Sequence, residues 1–187
     1  MSKWSCDLEC ATELHRRVGS GLFSGLLVNK SAVVRKIIAT LQRELATYIR
    51  AARAAHDEAT HEQNKPENKY DTRGLEASYL ARGQSRQVAE LELAITQIEA
   101  LSTAAWPAGT PIGPGALVEI IEGREHSWYY VAPRAGGTEI DHQQREILVL
   151  TPQSPLGQQL VGRRQGDEIV LDLGRGATRR LRVATVG

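Results

Sequence analysis

The sequence predicts an α+β chain, in which a long antiparallel helical hairpin is followed by a small antiparallel sheet domain with one short helix. Apolar residues repeat at heptad spacing along two long stretches, which is typical of a coiled coil. A short segment containing Pro66 separates the two stretches. After a segment rich in proline and glycine the apolar period changes to two, which indicates strands.

The hairpin is predicted over residues 30–101. Proline inside a helix costs about 3 kcal/mol, so the helices must break at residues 63–70. A short break between two apolar stripes folds them back on each other. With a rise of ~1.5 Å per residue, two helices of about 30 residues make an arm of roughly 45 Å. The first seam is Val34, Ile38, Leu41, Leu45, Tyr48, Ala52, Ala55 and Ala59, and the second is Ala77, Ala81, Gln84, Val88, Leu91, Ile95 and Ile98.

The regions flanking the hairpin have different compositions. Residues 1–29 contain glycines that weaken a helix, and we expect a poorly ordered N-terminal extension. Residues 102–115 form a linker, and residues 116–187 form the C-terminal domain. Its strands are predicted at 116–121, 127–132, 146–151, 168–173 and 179–186, and its helix at 155–161. That helix has Ser154 as N-cap, Pro155 at its first position and Gly162 as its stop.

Composition and charge exclude several classes of protein. Lys+Arg number 23 and Asp+Glu 22, and the net charge of +1 argues against binding nucleic acid by charge alone. There is no run of about 18 apolar residues that would span a membrane, and we expect no secretory signal. Cys6 and Cys10 lack a second pair, so we expect reduced thiols and a cytoplasmic protein.

Residues 154–171, SPLGQQLVGRRQGDEIVL, resemble the C-terminal domain of the bacterial transcript cleavage factors GreA and GreB. The shared pattern is a serine-proline helix start, an apolar helix that ends in glycine and a basic pair, and a Gly-Asp turn into a strand. The order of parts is also similar, since that family has a helical hairpin followed by an FKBP-like sheet domain. The matching residues are Ser154, Pro155, Leu160, Gly162, Arg163, Arg164, Gly166 and Asp167.

The resemblance implies a partner and a mechanism. Factors of this family dock their sheet domain on the rim of the secondary channel of RNA polymerase core and insert the coiled coil into the channel. Acidic tip residues then help to hold a catalytic Mg²⁺ and its attacking water. Such a protein is not itself an enzyme, binds no cofactor stably, contacts nucleic acid only indirectly and acts as a monomer. The implied docking residues are Ser154, Pro155, Leu156, Arg163, Arg164 and Asp167.

The tip departs from the family pattern of an aspartate, two residues and then Glu-Asn. Glu67 and Asn68 match its second half, but Asn64 stands in place of the aspartate, and Lys65 and Lys69 make the tip less anionic. The leading hypothesis is therefore a Gre-like elongation regulator without efficient cleavage. Candidate carboxylates are Glu62, Glu67 and Asp71, with Mg²⁺ held through Glu67, and candidate polymerase contacts are Asn64, Asn68, Tyr70 and Arg73.

Other interpretations stay open. The tip carboxylates are capping or solvated groups, or they stimulate genuine cleavage, or the seams make a coiled-coil scaffold without polymerase binding. His56 and His61 are five residues apart, which argues against a shared metal. The cationic group formed by Arg175, Arg179, Arg180 and Arg182 is either a patch for acidic protein or RNA, or a solvated strand face. Peptidyl-prolyl isomerase activity is disfavoured, because Trp128 and Tyr130 should face opposite to Tyr129.

Overall fold

A computed structural model of the chain describes residues 28–60, 73–172 and 178–187. Most of the predicted N-terminal extension and all of the predicted tip except Arg73 lie outside these ranges. The helices are α1 (Lys30–Thr60), α2 (Arg73–Glu99) and α3 (Pro155–Leu160). The strands are β1 (Leu117–Glu122), β2 (Glu125–Val131), β3 (Glu139–His142), β4 (Arg145–Leu150), β5 (Glu168–Asp172) and β6 (Thr178–Val186). The predicted order of helices and strands is confirmed, with β3 as an additional strand.

Helices α1 and α2 pack against each other within one chain. Asn29 caps α1, because its Oδ1 accepts the backbone N–H of Ala32 at 3.2 Å. The start of α1 shares a core with the end of α2, so the pair is antiparallel. Among the described residues, both seams are buried or half-buried. The predicted hairpin is confirmed.

The base of α1 corrects one detail of the predicted seam. Val33 and Ile37 are fully buried, whereas the predicted seam residue Ile38 is only partly buried. The physical reason is that the base of α1 packs against the sheet as well as against α2. An apolar face that serves two neighbours is wider than the stripe of a coiled coil.

The sheet has six strands in the order β3-β4-β2-β1-β6-β5. Neighbouring strands are antiparallel except β2 and β4, which are parallel, so the predicted antiparallel sheet is confirmed with one exception. The exception arises because the chain crosses from β2 to the edge strand β3 and then returns as β4. Strand β4 lies between β3 and β2 and therefore runs in the same direction as β2. The β3–β4 hairpin turns through Gln143 and Gln144, whose φ angles are 53° and 60°. Two glutamines are an unusual choice for such a turn, which is why the sequence did not indicate β3.

The two faces of the sheet belong to different cores. On the hairpin side, Tyr130 and Ile147 are fully buried against Val33, Ile37 and Ile98 of the helices. On the other side, which we call the α3 side, β1, β5 and β6 pack around residues of α3. The hairpin and the sheet are therefore joined through a common core.

The three consecutive aromatics of β2 divide between these faces as predicted. Trp128 and Tyr130 lie on the hairpin side, and Tyr129 lies on the α3 side. Tyr130 is fully buried, and burial raises the pKa of its phenol to about 12. The side chain thus fills the core, and no aromatic-walled pocket is formed by the three rings together.

The linker packs onto both parts of the structure. Ile112 is buried on the α3 side, and its N–H donates to the carbonyl of Arg163 at 2.7 Å. Lys30 at the start of α1 donates from Nζ to the carbonyl of Ala104 at 3.1 Å and lies 4.8 Å from the ring of Trp106. Burial lowers the pKa of the Lys30 ammonium. The linker is thereby fixed at both ends, while the predicted domain boundaries stay a prediction.

None of the helices in the described ranges is long and apolar enough to cross a membrane.

Candidate docking surface

The motif at residues 154–171 folds into α3 and the turn that follows it. Ser154 caps α3, because its Oγ accepts the N–H of Gly157 at 3.1 Å and donates to the carbonyl of Thr151 at 2.8 Å. Pro155 occupies the first helical position, where no backbone donor is needed. Gly162, at φ 87°, turns the chain out of the helix. The predicted cap, proline position and stop are confirmed.

Gly157 is a structural residue of this motif that the sequence analysis missed. A Cβ at this position would lie 1.9 Å from the carbonyl oxygen of Thr151 and 2.8 Å from the Oγ of Ser154. The first atom belongs to the backbone and has little freedom to move away, so α3 requires glycine here. A glycine at the third position of a short helix, where it is a poor helix former, was the available signal.

The turn after α3 is closed by Asp167. Its Oδ2 accepts the backbone N–H of Arg164 at 2.8 Å, and its own N–H donates to the Arg164 carbonyl at 3.1 Å. Gly166 supplies the positive φ of 93° that this turn needs. The carboxylate of Asp167 is therefore used within the chain, and its role is to hold the basic pair in place.

Among the exposed side chains around this framework, four are apolar or cationic, and we call them the α3 surface: Pro155, Val161, Arg163 and Arg164. Val161 is 38% exposed and was not predicted as a contact residue. The predicted contact Leu156 instead packs partly into the core of the α3 side. The α3 surface thus combines apolar groups with two cations, a composition suited to a partner that carries acidic and apolar side chains.

The arm presents a second feature toward its distal end. Tyr79 and Leu80 of α2 are 66% and 54% exposed, next to the half-buried seam residue Ala81. Neither residue was predicted as a contact, although both fall off the predicted seam and are large and apolar. Two exposed apolar side chains are ordinary on a protein surface and do not by themselves mark a contact site.

The predicted tip residues Glu62, Asn64, Glu67, Asn68, Tyr70 and Asp71 lie outside the described residues, as does His61. Arg73 is the first residue of α2. His56 is exposed on α1. In the described ranges, no group of three or more His, Cys, Asp or Glu side chains is placed to hold a metal ion. The assignment of Mg²⁺ to Glu67 stays a prediction.

Polar contacts reinforce the shared core where the arm meets the sheet domain. Lys36 of α1 donates from Nζ to the carbonyl of Asp141 in β3 at 2.6 Å. On α2, Glu90 accepts from Arg134 at 2.7 Å. Both helices of the hairpin are therefore connected to the sheet domain.

A buried histidine lies at the same junction. His142 is 8% exposed, and its Nε2 has no hydrogen-bond partner among the described residues. Burial lowers the pKa of the His142 imidazole, and the charges of Lys36 and Arg145 lower it further. The neutral imidazole is the form that suits this position.

A polar cluster occupies the hairpin side of the sheet beyond the arm. The carboxylate of Glu119 accepts from Thr185 Oγ1 at 2.8 Å and lies 2.8 Å from His126 Nδ1. Nearby, the guanidinium of Arg145 lies 5.0 Å from the ring of Trp128. These side chains line an open groove that Val28 also borders.

The cationic group near the C-terminus is divided by the structure. Arg179 pairs with Glu122, and this hydrogen bond is the main cause that lowers the pKa of the Glu122 carboxyl. Arg180 and Arg182 are both exposed and alternate with core residues, so they share a face as predicted. Arg175 lies outside the described residues.

No family model and no curated protein matches the chain. Among solved structures, GreA factor homolog 1 of Thermus thermophilus is 23% identical, with a TM-score of 0.34 over 80% of this chain and 94% of that chain. The Thermus aquaticus homolog is 25% identical, with a TM-score of 0.34 over 79% and 92%. The prokaryotic transcription elongation factor GreA/GreB of Nitrosomonas europaea is 18% identical, with a TM-score of 0.32 over 60% and 91%.

Proposed function

We propose that this protein is a Gre-like regulator of transcription elongation that binds RNA polymerase core. In this proposal the sheet domain docks at the rim of the secondary channel and the arm enters the channel. The protein acts as a cytoplasmic monomer and meets nucleic acid only through the polymerase. The resemblance of residues 154–171 supports the proposal, together with an arm built on the domain that carries this motif.

The observation that carries the proposal is the common core of arm and sheet. Ile37 and Ile98 of the arm are fully buried in the same cluster as Tyr130 and Ile147 of the sheet. A coiled coil that served only as a scaffold would not need its base fixed in a second domain. An arm that must reach a particular place does need it, because docking of the domain then sets the direction of the arm.

The proposed docking contacts are those of the α3 surface. Arg163 and Arg164 are exposed, and their backbones are held by Ile112 and Asp167. Because these two backbones are already ordered, only the arginine side chains have to be ordered when they pair with acidic groups. Ser154 and Asp167 contribute indirectly, by shaping α3 and its turn.

At the tip, we propose occupancy of the channel with little cleavage. Asn64 carries no charge where the resemblance calls for an aspartate, and an amide holds Mg²⁺ weakly. Glu67, aided by Glu62 or Asp71, would then contribute at most a weak ligand to the polymerase's own Mg²⁺. Asn68, Tyr70 and Arg73 would contact the channel.

Binding is tested by capture of RNA polymerase core on the immobilised full-length chain. We expect capture by the unaltered chain and a marked loss for Arg163→Glu/Arg164→Glu. The matched control is Arg124→Glu, an exposed arginine in the turn between β1 and β2. A chain that captures no polymerase refutes the proposal, and equal capture by all three proteins refutes the docking surface.

The tip is tested on backtracked elongation complexes with Mg²⁺. We expect the chain to compete with a cleavage-competent factor while shortening the RNA little. Strong shortening that Glu67→Ala abolishes would instead establish genuine cleavage stimulation. If Glu67→Ala leaves strong shortening unchanged, the tip assignment is wrong.

A further inference from the structure

The arm covers only part of the sheet face on which it packs. Its base lies over β3, β4 and the adjoining ends of β2 and β1. On the same side, the region of β6 and β5 is not covered by any of the described residues, and Val170 of the edge strand β5 is 56% exposed there. We call this region the open sheet face; its residues are Ile121, His126, Glu168, Val170, Arg180 and Arg182.

The open sheet face carries unpaired cations around an apolar centre. Arg180 lies opposite Val170 in the strand register, and Arg182 lies opposite Glu168. In the described part of the chain, neither arginine has a hydrogen-bond or ion-pair partner, whereas the neighbouring Arg179 is paired with Glu122. Such a face fits a segment that combines carboxylates with apolar side chains. Glu168 within the face disfavours a polyanion such as RNA.

The chain itself contains a segment of this composition. Residues 4–14, WSCDLECATEL, hold three carboxylates and no lysine or arginine, and they include a tryptophan and two leucines. We infer that residues 4–14 bind the open sheet face, with Asp7, Glu9 and Glu13 directed to Arg180 and Arg182. This contact lies within one chain and would form without RNA polymerase.

The connection is long enough for this contact. Val28, the first described residue, and Thr185 of β6 line the same groove. From Thr185, Arg180 is five residues along the strand, roughly 17 Å, and β5 is one strand spacing of about 4.8 Å to the side. Residues 15–27 span at most roughly 43 Å when extended at ~3.3 Å per residue. Residues 15–27 are therefore long enough to connect Val28 with a segment bound to the open sheet face.

The test uses the chain's two cysteines, Cys6 and Cys10, both within the segment. In a Cys6→Ser background, Val170→Cys places a thiol on the open sheet face. Gln159→Cys places one at an exposed position of α3, on the other side of the sheet, as the matched control. Under mild oxidation we expect the intramolecular disulfide with Cys10 to form about tenfold faster in Val170→Cys, because docking raises the effective concentration above that of a free tether.

The role of charge is tested by adding Arg180→Glu/Arg182→Glu to the Val170→Cys chain. We expect the rate of disulfide formation to fall to that of the Gln159→Cys control. High salt should also lower the rate in the Val170→Cys chain that keeps both arginines. An unchanged helix signal in circular dichroism verifies that the variants are folded. Equal rates in Val170→Cys and Gln159→Cys would overturn the inference. So would a Val170→Cys product that forms only between chains and depends on concentration.

Discussion

The junction of arm and sheet gives the sharpest test of this structure. Ile37 is fully buried in the common core, while the adjacent Ile38 is only partly buried. Ile37→Ala deletes three carbons, worth about 0.8 kcal/mol each in transfer free energy. The cavity left behind brings the expected loss in the free energy of unfolding to roughly 2–5 kcal/mol.

The matched control is Ile38→Ala, for which we expect a loss of about 1 kcal/mol because much of that side chain already meets water. Urea denaturation measures both variants. With a slope of ~2 kcal/mol per molar urea, a loss of about 3 kcal/mol moves the midpoint by about 1.5 M. Circular dichroism follows the helices, and the fluorescence of Trp128 in a Trp4→Phe/Trp106→Phe background follows the sheet. The two midpoints should move together for Ile37→Ala.

Two results would refute the reasoning. If Ile38→Ala destabilises the protein more than Ile37→Ala, the arm follows the plain heptad seam and the sheet does not contribute to its core. If the fluorescence midpoint stays fixed while the helix midpoint moves, the arm and the sheet unfold separately. Either outcome would also remove the support that the common core gives to the proposed function.

Three further predictions concern single positions. Gly157→Ala should destabilise the protein by at least ~1–3 kcal/mol in urea, because its Cβ meets the Thr151 carbonyl, whereas Gln158→Ala on the exposed face should change little. Burial lowers the pKa of His142 in the folded chain, so the unfolded chain binds this proton more readily and the free energy of unfolding declines below about pH 6.5. His142→Gln should make that decline less steep. An unchanged dependence of the unfolding free energy on pH would contradict this. Asp167→Ala should cost about 1 kcal/mol by removing the hydrogen bond that closes the turn, and a thermal midpoint equal to that of the unaltered chain would contradict it.

Periodicity predicted the elements whose burial follows from their own sequence. The heptad spacing located α1 and α2, and the serine-proline start with a glycine stop located α3. The alternation of Trp128, Tyr129 and Tyr130 correctly predicted that Tyr129 faces opposite to the other two rings. In each case a single element and its solvent exposure determine the pattern.

The features that the sequence did not indicate depend on contacts between elements. Val33 and Ile37 are buried by the sheet, which a seam between two helices does not anticipate. Strand β3 was missed because its turn uses Gln143 and Gln144 at positive φ. Gly157 is required by a carbonyl of the preceding turn, which only the folded backbone brings close.

The docking and tip residues stay predictions, and the structure gives only the exposure and the contacts of those that it describes. Arg163 and Arg164 are exposed as expected for contact residues, but Ser154 and Asp167 are used within the chain. Val161 was not indicated because an apolar residue next to a helix end is ordinarily expected to be buried. The tip carboxylates remain predictions, since they lie outside the described residues.

Because the arm and the sheet share one core, a small tilt at the base of the arm produces a larger displacement at its distal end. At ~1.5 Å per residue, the 31 residues of α1 span about 46 Å, so a tilt of roughly 5° at the base displaces the distal end by about 4 Å. That displacement is comparable to the width of a side chain, although the core itself would shift by only a fraction of it. Substitutions at Val33, Ile37 or Ile147 can therefore change the position of the distal end, although these residues lie far from it. Variation in aim among related proteins should be sought in these core residues as well as at the tip.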